Sequence, residues 1–388
     1  MSRAPSLAGS AVPSQRAPRF AETGLILVVL VLGTLLATFG GFANRPVFRT
    51  LPDGTRERIK ITLPNGDEAP ATERVNKFLN AESLTQLAKD TSFIAIMAVG
   101  MTCVIIAGQI DLSIGSIYAL TGVLTALVLH RFGPDGPNPT SPWIGSLLGL
   151  GTGLGVGWMC GLINGTLVIF LRVHPFIITL GTMAVLRGIA FVISEGQSVG
   201  AFPAPFRNWV TAGTEGGLQF RPLLLTLGVG VAGSVFLRQL AVGRQVYAVG
   251  GNELASRYSG IRVERIKLGV FLLAGLTAGL ASLLSLGYYG AASSGDGQGY
   301  ELEVIAAAVV GGASLSGGRG TALGALLGAL IIKMIGTGIV IVGIPQSWSQ
   351  IIIGTVVILA VVLDQANQWL TRRRRRISQP ASSVAAFF

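Results

Sequence analysis

The chain has 388 residues, 12% of them charged and 50% hydrophobic, too few charges to coat a soluble domain of that size, so lipid must cover much of its surface. Its 54 glycines fit helices that pack in lipid through small residues, where no hydrophobic drive pulls them together. The formal charge of +11 has its clearest block at Arg372 to Arg376, directly after an apolar stretch, which reads as a cytoplasmic anchor touching membrane lipid; without aromatic and basic alternation it argues against nucleic acid as a partner.

Residues 1 to 23 carry Arg3, Arg16 and Arg19 ahead of an apolar run that has no small-residue cleavage pattern, so they read as a cytoplasmic tail before an uncleaved helix. That helix is Gly24 to Ala43. Phe93 to Leu129 has Asp111 as its only charge and is long enough for two helices broken at Ile110-Asp111-Leu112. Trp143 to Leu171 is a long, tilted fourth helix, Pro175 to Ser194 the fifth and Pro222 to Leu237 the sixth. Residues 238 to 267 follow with Arg238, Arg244, Arg257, Arg262, Arg265 and Lys267, a density of positives that marks a cytoplasmic loop. Leu268 to Tyr289, Glu301 to Leu315, Thr321 to Val342 and Trp348 to Leu363 complete an all-α integral membrane protein of about ten helices. The membrane domain then spans residues 24 to 370 and a basic tail 371 to 388. An even count puts both termini in the cytoplasm.

The segment from Asn44 to Asp90 falls outside and carries eight basic and seven acidic residues. Pro52-Asp53-Gly54 and Pro64-Asn65-Gly66 are turn signals on either side of Arg58 to Leu63, whose alternation predicts a small β-hairpin there. Gly108 to Gly115 and Gly311 to Gly318 share Gly, Leu, Ser and Gly in register, a similarity that chance and an internal repeat explain equally well.

Leu315-Ser316-Gly317-Gly318-Arg319 nearly spells the signature of cassette ATPases, yet no Gly-x-x-x-x-Gly-Lys-Ser/Thr phosphate cradle exists anywhere in the chain. The run is a turn between helices. Cys103 and Cys160 fall in apolar runs and His130 and His174 lack ligand spacing, so neither a metal nor a catalytic constellation is expected. A docking element for a separate motor is expected instead. Gly251-Asn252-Glu253-Leu254-Ala255-Ser256-Arg257-Tyr258-Ser259-Gly260 reads as a short helix with Asn252 at the N-cap, Glu253 in the first turn and Gly260 at its stop, placing Leu254 and Tyr258 on one face. A helix so short needs neighbours or a partner to hold it, and an ordinary solvated loop helix is the equal alternative.

Asp111 is costly between apolar helices unless it faces a cavity or a partner; capping of the next helix by accepting from amides near Ile114 is favoured over direct solute contact. Ser113 shares that break. Glu301 and Glu303 suit the first turn of their helix electrostatically. Gln109, Asn164, Thr179 and Gln298 can hydrogen-bond hydroxyls, or equally bridge packed helices. Lys333 and Arg187 read as snorkelling side chains.

The blocks Gly100-Met101-Thr102 with Ile110 to Ser116, Pro175 to Thr182 with Arg187-Gly188, Gly250 to Ile261, and Gly297 to Leu302 with Gly311 to Gly320 stand in one order along the chain. With them the sequence closely resembles the ribose/xylose-type sugar permeases of binding-protein-dependent ATP-binding cassette importers. The resemblance implies a second permease copy or homologue, cassette ATPase subunits that hold ATP and Mg while this chain holds no cofactor, a periplasmic sugar-binding protein, and a bacterial inner membrane. It implies that Gly251 to Ile261 contacts the ATPase. A longer Asn44 to Lys77 stretch, Gln109 in place of a small residue and His174 in place of proline depart from the family pattern. The implied function is the translocation pathway for a monosaccharide. The rivals are a proton-coupled transporter using Asp111, Glu301 or Glu303, and an importer of branched-chain amino acids.

Overall fold

The structure, a computed structural model, describes residues 19–50, 56–62, 67–133, 136–211 and 220–377. It is mostly helical. The helices are α1 (Arg19–Phe39), α2 (Ala81–Ile106), α3 (Ile114–Arg131), α4 (Pro142–Leu171), α5 (Pro175–Ser194), α6 (Ala204–Thr211), α7 (Phe220–Gln239), α8 (Ala241–Gly251), α9 (Glu253–Tyr258), α10 (Val263–Tyr289), α11 (Tyr300–Val310), α12 (Ala322–Val342) and α13 (Ser349–Ile377). Among the described residues eight of them, α1 to α5, α7, α10 and α12, are long and apolar enough to cross a membrane.

The reading of ten spans therefore exceeds what the helices themselves support. The run from Glu301 to Leu315 looked like a full span, but α11 stops after 11 residues because Gly311 and Gly312 close it, Gly312 at φ +93°. That is about 16 Å of helix, half a bilayer. In α13 the apolar stretch is Ser349–Leu359, also short of a span. The second helix begins earlier than hydropathy placed it, at Ala81 instead of Phe93: the Asn80 side chain accepts from Ser83 N at 2.9 Å and caps it. The charges of its first turns hid it, since Lys89 donates to the Tyr288 hydroxyl at 2.8 Å and Asp90 accepts from the Tyr289 hydroxyl at 3.2 Å.

The core lies along α2 and α10, with Ile94, Ile96, Met97, Met101, Ile105 and Phe271 fully buried. The α4 helix packs on α10 through Gly153, Gly157, Gly161 and Gly165, spaced four apart. A side chain on Gly157 would overlap the Gly275 carbonyl, and one on Gly275 the Gly157 carbonyl, so the two backbones meet directly.

The segment expected to hold one hairpin holds three short antiparallel ladders: β1 (Phe42–Pro46) with β6 (Thr72–Asn76), β2 (Phe48–Thr50) with β3 (Arg56–Arg58), and β4 (Lys60–Thr62) with β5 (Glu68–Pro70). The three are joined in a ring: Val47 N donates to Ala71 O, Ala71 N to Ile59 O and Ile59 N to Val47 O. Glu68 pairs with Lys60 at 2.9 Å and raises the lysine pKa above its ordinary value. The turn signals 52–54 and 64–66 lie outside the described residues, as do residues 1–18 and 378–388 of the two tails.

These ladders mark one end of the molecule, where α1 ends, α2 starts and α10 finishes beside Asp90. The α8–α9 segment marks the other, where Arg238 pairs with Glu22 of α1 at 3.0 Å. The segments Gly108–Gly115 and Gly311–Gly318 both follow a helix end. After α2, Ala107, Gly108 and Gln109 donate to Cys103, Ile105 and Val104; after α11, Gly311, Gly312 and Ala313 donate to Ala307, Val309 and Ala308. The two helix ends close with the same hydrogen-bond pattern, but it pairs Gly108 with Gly312, one residue out of register with the sequence similarity, so it is a shared helix closure and not support for a repeat.

Candidate functional site

Between α2 and α3 the chain is non-helical at full burial, and its polar groups must be satisfied locally. Asp111, Ser113 and Asn164 are wholly buried. Asp111 Oδ1 accepts from Ser113 N at 2.9 Å and from Ser113 Oγ at 2.6 Å, while Ser113 Oγ accepts from Asn164 Nδ2 at 2.7 Å. The expected cap is thus displaced: Asp111 folds the turn before the helix, and Ser113 occupies the N-cap without a side-chain cap bond. The remaining oxygens, Asp111 Oδ2 and Asn164 Oδ1, have no protein partner among the described residues. Each of these carboxylate and amide oxygens can accept a hydroxyl or water proton.

Thr179, also buried, lies 3.0 Å from Pro175 O and 3.4 Å from Ile110 O, so α5 rests on the same break. His174 caps α5 by accepting from Phe176 N at 3.3 Å. Gln109 is buried next to them, its amide donating to Gly108 O at 3.0 Å and its Oε1 without a partner among the described residues. The break therefore gathers Gln109, Asp111, Ser113, Asn164 and Thr179.

Gln298 and Glu301 do not join this group directly. Gln298 is exposed, and Glu301 is half-buried with its Oε2 against Gly115, where a methyl group would come within 2.5 Å of it. Glu303 is paired with Lys333 of α12 at 2.5 Å, and Lys333 also lies over the Tyr300 ring at 5.2 Å. Lys333 is thus a partner of α11 where the sequence suggested snorkelling. Arg187 differs as well: it donates to Ser294 O at 2.9 Å and Asp296 O at 2.7 Å. An arginine more than a turn from either end of an otherwise uncharged helix was the available signal.

At the opposite end, α9 runs from Glu253 to Tyr258 and Asn252 accepts from Ala255 N at 2.9 Å. Glu253 pairs with Lys267 at 2.9 Å and Arg257 with Glu264 at 2.6 Å, which raises the Arg257 pKa further above its ordinary value. These charges tie α9 to the base of α10. Leu254 and Tyr258 are 61% and 83% exposed, and Gly251, Ala255, Ser259 and Gly260 also face outward, Gly260 at φ +82°.

Behind α9, α8 touches the break. Ile106 O accepts from Gly318 N at 2.8 Å, and Gly250 packs so closely there that a side chain on it would overlap the Ile106 carbonyl. Tyr247 donates to Gly320 O at 2.7 Å. Leu315 to Gly320 is thus a turn that seats α8, with Gly317 and Gly318 at φ +80° and +73°. Among the described residues no three His, Cys, Asp or Glu side chains gather to hold a metal.

Residues 83–361 match the family described as branched-chain amino acid transport system / permease component, so the ladders precede the matched region. The chain is 37% identical to the ribose import permease protein of Escherichia coli (strain K12) over 300 residues, 75% of this chain and 88% of the relative. It is 37% identical to the D-allose transport system permease protein of the same strain over 74% of this chain and 85% of the relative. With the fructose import permease protein of Rhizobium meliloti it shares 32% identity over 74% of this chain and 79% of the relative. No solved structure matches the chain.

Proposed function

The chain belongs to the branched-chain amino acid transport system / permease component family, and from that premise we propose that it is the membrane-spanning permease subunit of an ATP-binding cassette importer for a monosaccharide. Relatives named for ribose, allose and fructose support a sugar over a branched-chain amino acid. The buried break, where Asp111 Oδ2 and Asn164 Oδ1 have no protein partner among the described residues, suits a solute that brings hydrogen-bond donors such as hydroxyls.

The observation that carries the mechanism is the contact of Gly250 with Ile106. A cassette ATPase, holding ATP and Mg, would dock on Leu254 and Tyr258 of α9. Its closure would move α8, and through Gly250 the end of α2 and the Asp111 turn. Gln109, Asp111, Ser113, Asn164 and Thr179 would line the pathway at that turn, with Gln298 and Glu301 nearer the ladder end. No covalent chemistry occurs in this chain.

In this reading the ladder end faces the periplasm and meets a sugar-binding protein, and the α8–α9 end and both termini are cytoplasmic in a bacterial inner membrane. The segment between α10 and α11, together with α11, makes one crossing, and α13 makes another. That restores ten passes without ten full helices. A second permease copy or homologue completes the transporter.

The test is uptake of labelled ribose into proteoliposomes holding this permease with its ATPase and binding protein. ATP-dependent uptake that survives a protonophore, and that falls when Leu254 and Tyr258 are changed to alanine, is the expected result. Uptake driven by a proton gradient without ATP would replace the importer with the proton-coupled reading.

A further inference from the structure

After α10 the chain does not turn straight into another helix. Gly290, at φ +74°, reverses it, and Ala291–Ala292 pairs antiparallel with Val199–Gly200, the two residues that follow α5. Residues 293 to 299, Ser-Ser-Gly-Asp-Gly-Gln-Gly, then lead inward to the start of α11, where the Tyr300 ring lies 5.4 Å from that of Tyr118 on α3. Gly297 meets α3 there: a side chain on Gly115 would come within 2.5 Å of Gly297 O, and one on Gly297 within 2.8 Å of the Tyr118 ring. Gly115 is two residues from Ser113. This strap therefore covers the buried break on its ladder side.

What holds the strap is polar. Its seven residues carry no apolar side chain, so hydrophobic burial does little to fix its place, and segments fixed this way lie at the low-stability end of a fold. Arg187 of α5 donates to two of its carbonyls, Ser294 O and Asp296 O, and Asp296 Oδ2 accepts from Ser293 N at 2.8 Å. Ser198 Oγ donates to Ala292 O at 3.4 Å. Gly297 and Gly299, at φ +66° and +85°, let the chain bend at the inner end. Behind the strap, among Tyr118, Gly122, Ser282, Ser285, Ala292 and Asp296, the cavity has about 10 Å³ of room, at most one water molecule and far below a sugar.

We propose that residues 290–299 are the outer gate of the pathway, closed in this structure, and that Arg187 is the latch that positions it. The proposal rests on the importer reading for its direction. Opening requires Arg187 to release the two carbonyls and the Val199–Ala292 pairing to part. Because the latch binds backbone, it constrains the strap's path whatever solute passes.

Two measurements on the complete transporter test it. Val199→Cys with Ala292→Cys, a cross-strand pair, would bridge the strap to the segment after α5 under oxidation. Ribose uptake should fall at least about tenfold when the bridge forms and return on reduction, as expected of a segment that must open for each cycle. Full uptake with the bridge complete by mass would overturn the gate. Separately, Ser285→Cys places a thiol behind the strap. A membrane-impermeant methanethiosulfonate added outside should label it at least about tenfold faster in the Arg187→Gln background, since two charge-assisted bonds are lost, and the parent chain corrects for Cys103 and Cys160. Unchanged labelling would overturn the latch. If the parent transporter shows no ATP-dependent uptake while labelling still responds to Arg187, the importer reading fails and the strap assignment stands.

Discussion

Gly250 of α8 meets Ile106, the last residue of α2, so closely that a methyl group on the glycine would overlap the Ile106 carbonyl oxygen and come within 2.8 Å of Gly318 N. Both obstacles are backbone and cannot swing aside. The segment that reaches toward the ATPase and the helix end that carries the Asp111 turn are therefore in direct contact.

Gly250→Ala should part α8 from α2, break the Gly318 N to Ile106 O bond and lower stability by about 1–3 kcal/mol, the usual cost of overpacking. Uptake should fall more than ATPase activity does, because the motor remains intact while its link to the pathway is displaced. Gly251→Ala is the matched control, with open space where its Cβ would stand. Melting of the purified chain and the ratio of uptake to ATP hydrolysis report the two effects.

Ser113 is the shared partner of Asp111 and Asn164, so Ser113→Ala should cost about 1–3 kcal/mol by orphaning the Asn164 amide and one Asp111 bond. Asn164→Ala in the same background should then add little. A double-mutant cycle on melting should return a coupling of about 0.5–3 kcal/mol. Additive losses would mean the three side chains do not act as one network.

Much of this was legible because membrane helices announce themselves by length and hydropathy: α4 and α5 fall within a residue or so of their expected bounds. The Asn252 cap and the break at Asp111 were legible from local chemistry. What failed had long-range causes. The start of α2 carries Lys89 and Asp90, and only their tyrosine partners some 199 residues away explain why charges sit there. Arg187 finds its carbonyls more than a hundred residues on, so no window around α5 reveals them. The strap, being glycine and short polar residues, reads in sequence as any loop. Its descent to Gly115 is visible only when α3 is packed beside it.

Glu253 and Arg257 of α9 are paired with Lys267 and Glu264 of α10, while Leu254 and Tyr258 stand free on the exposed face. Arg257 and Glu264 are about half exposed, so Arg257→Ala should leave the melting temperature nearly unchanged. Its effect on ATPase co-purification should be weaker than that of Tyr258→Ala, which removes an 83% exposed ring and leaves the fold untouched. Equal losses would move the docking surface from the apolar face of α9 to its charged face.

Lys333 and Glu303 join α12 to α11 as an ion pair, each head less than a fifth exposed. Lys333→Met should leave Glu303 unpaired and cost about 1–3 kcal/mol, less than a fully buried pair because some exposure remains. Adding Glu303→Gln removes the stranded charge and should recover much of that loss, since the amide needs no counter-charge. The double variant also separates mechanisms. If Glu303 carried a transported proton, its uptake would vanish whatever the stability; in the importer reading it is a strut, and ATP-driven ribose uptake by the double variant should return with the melting temperature.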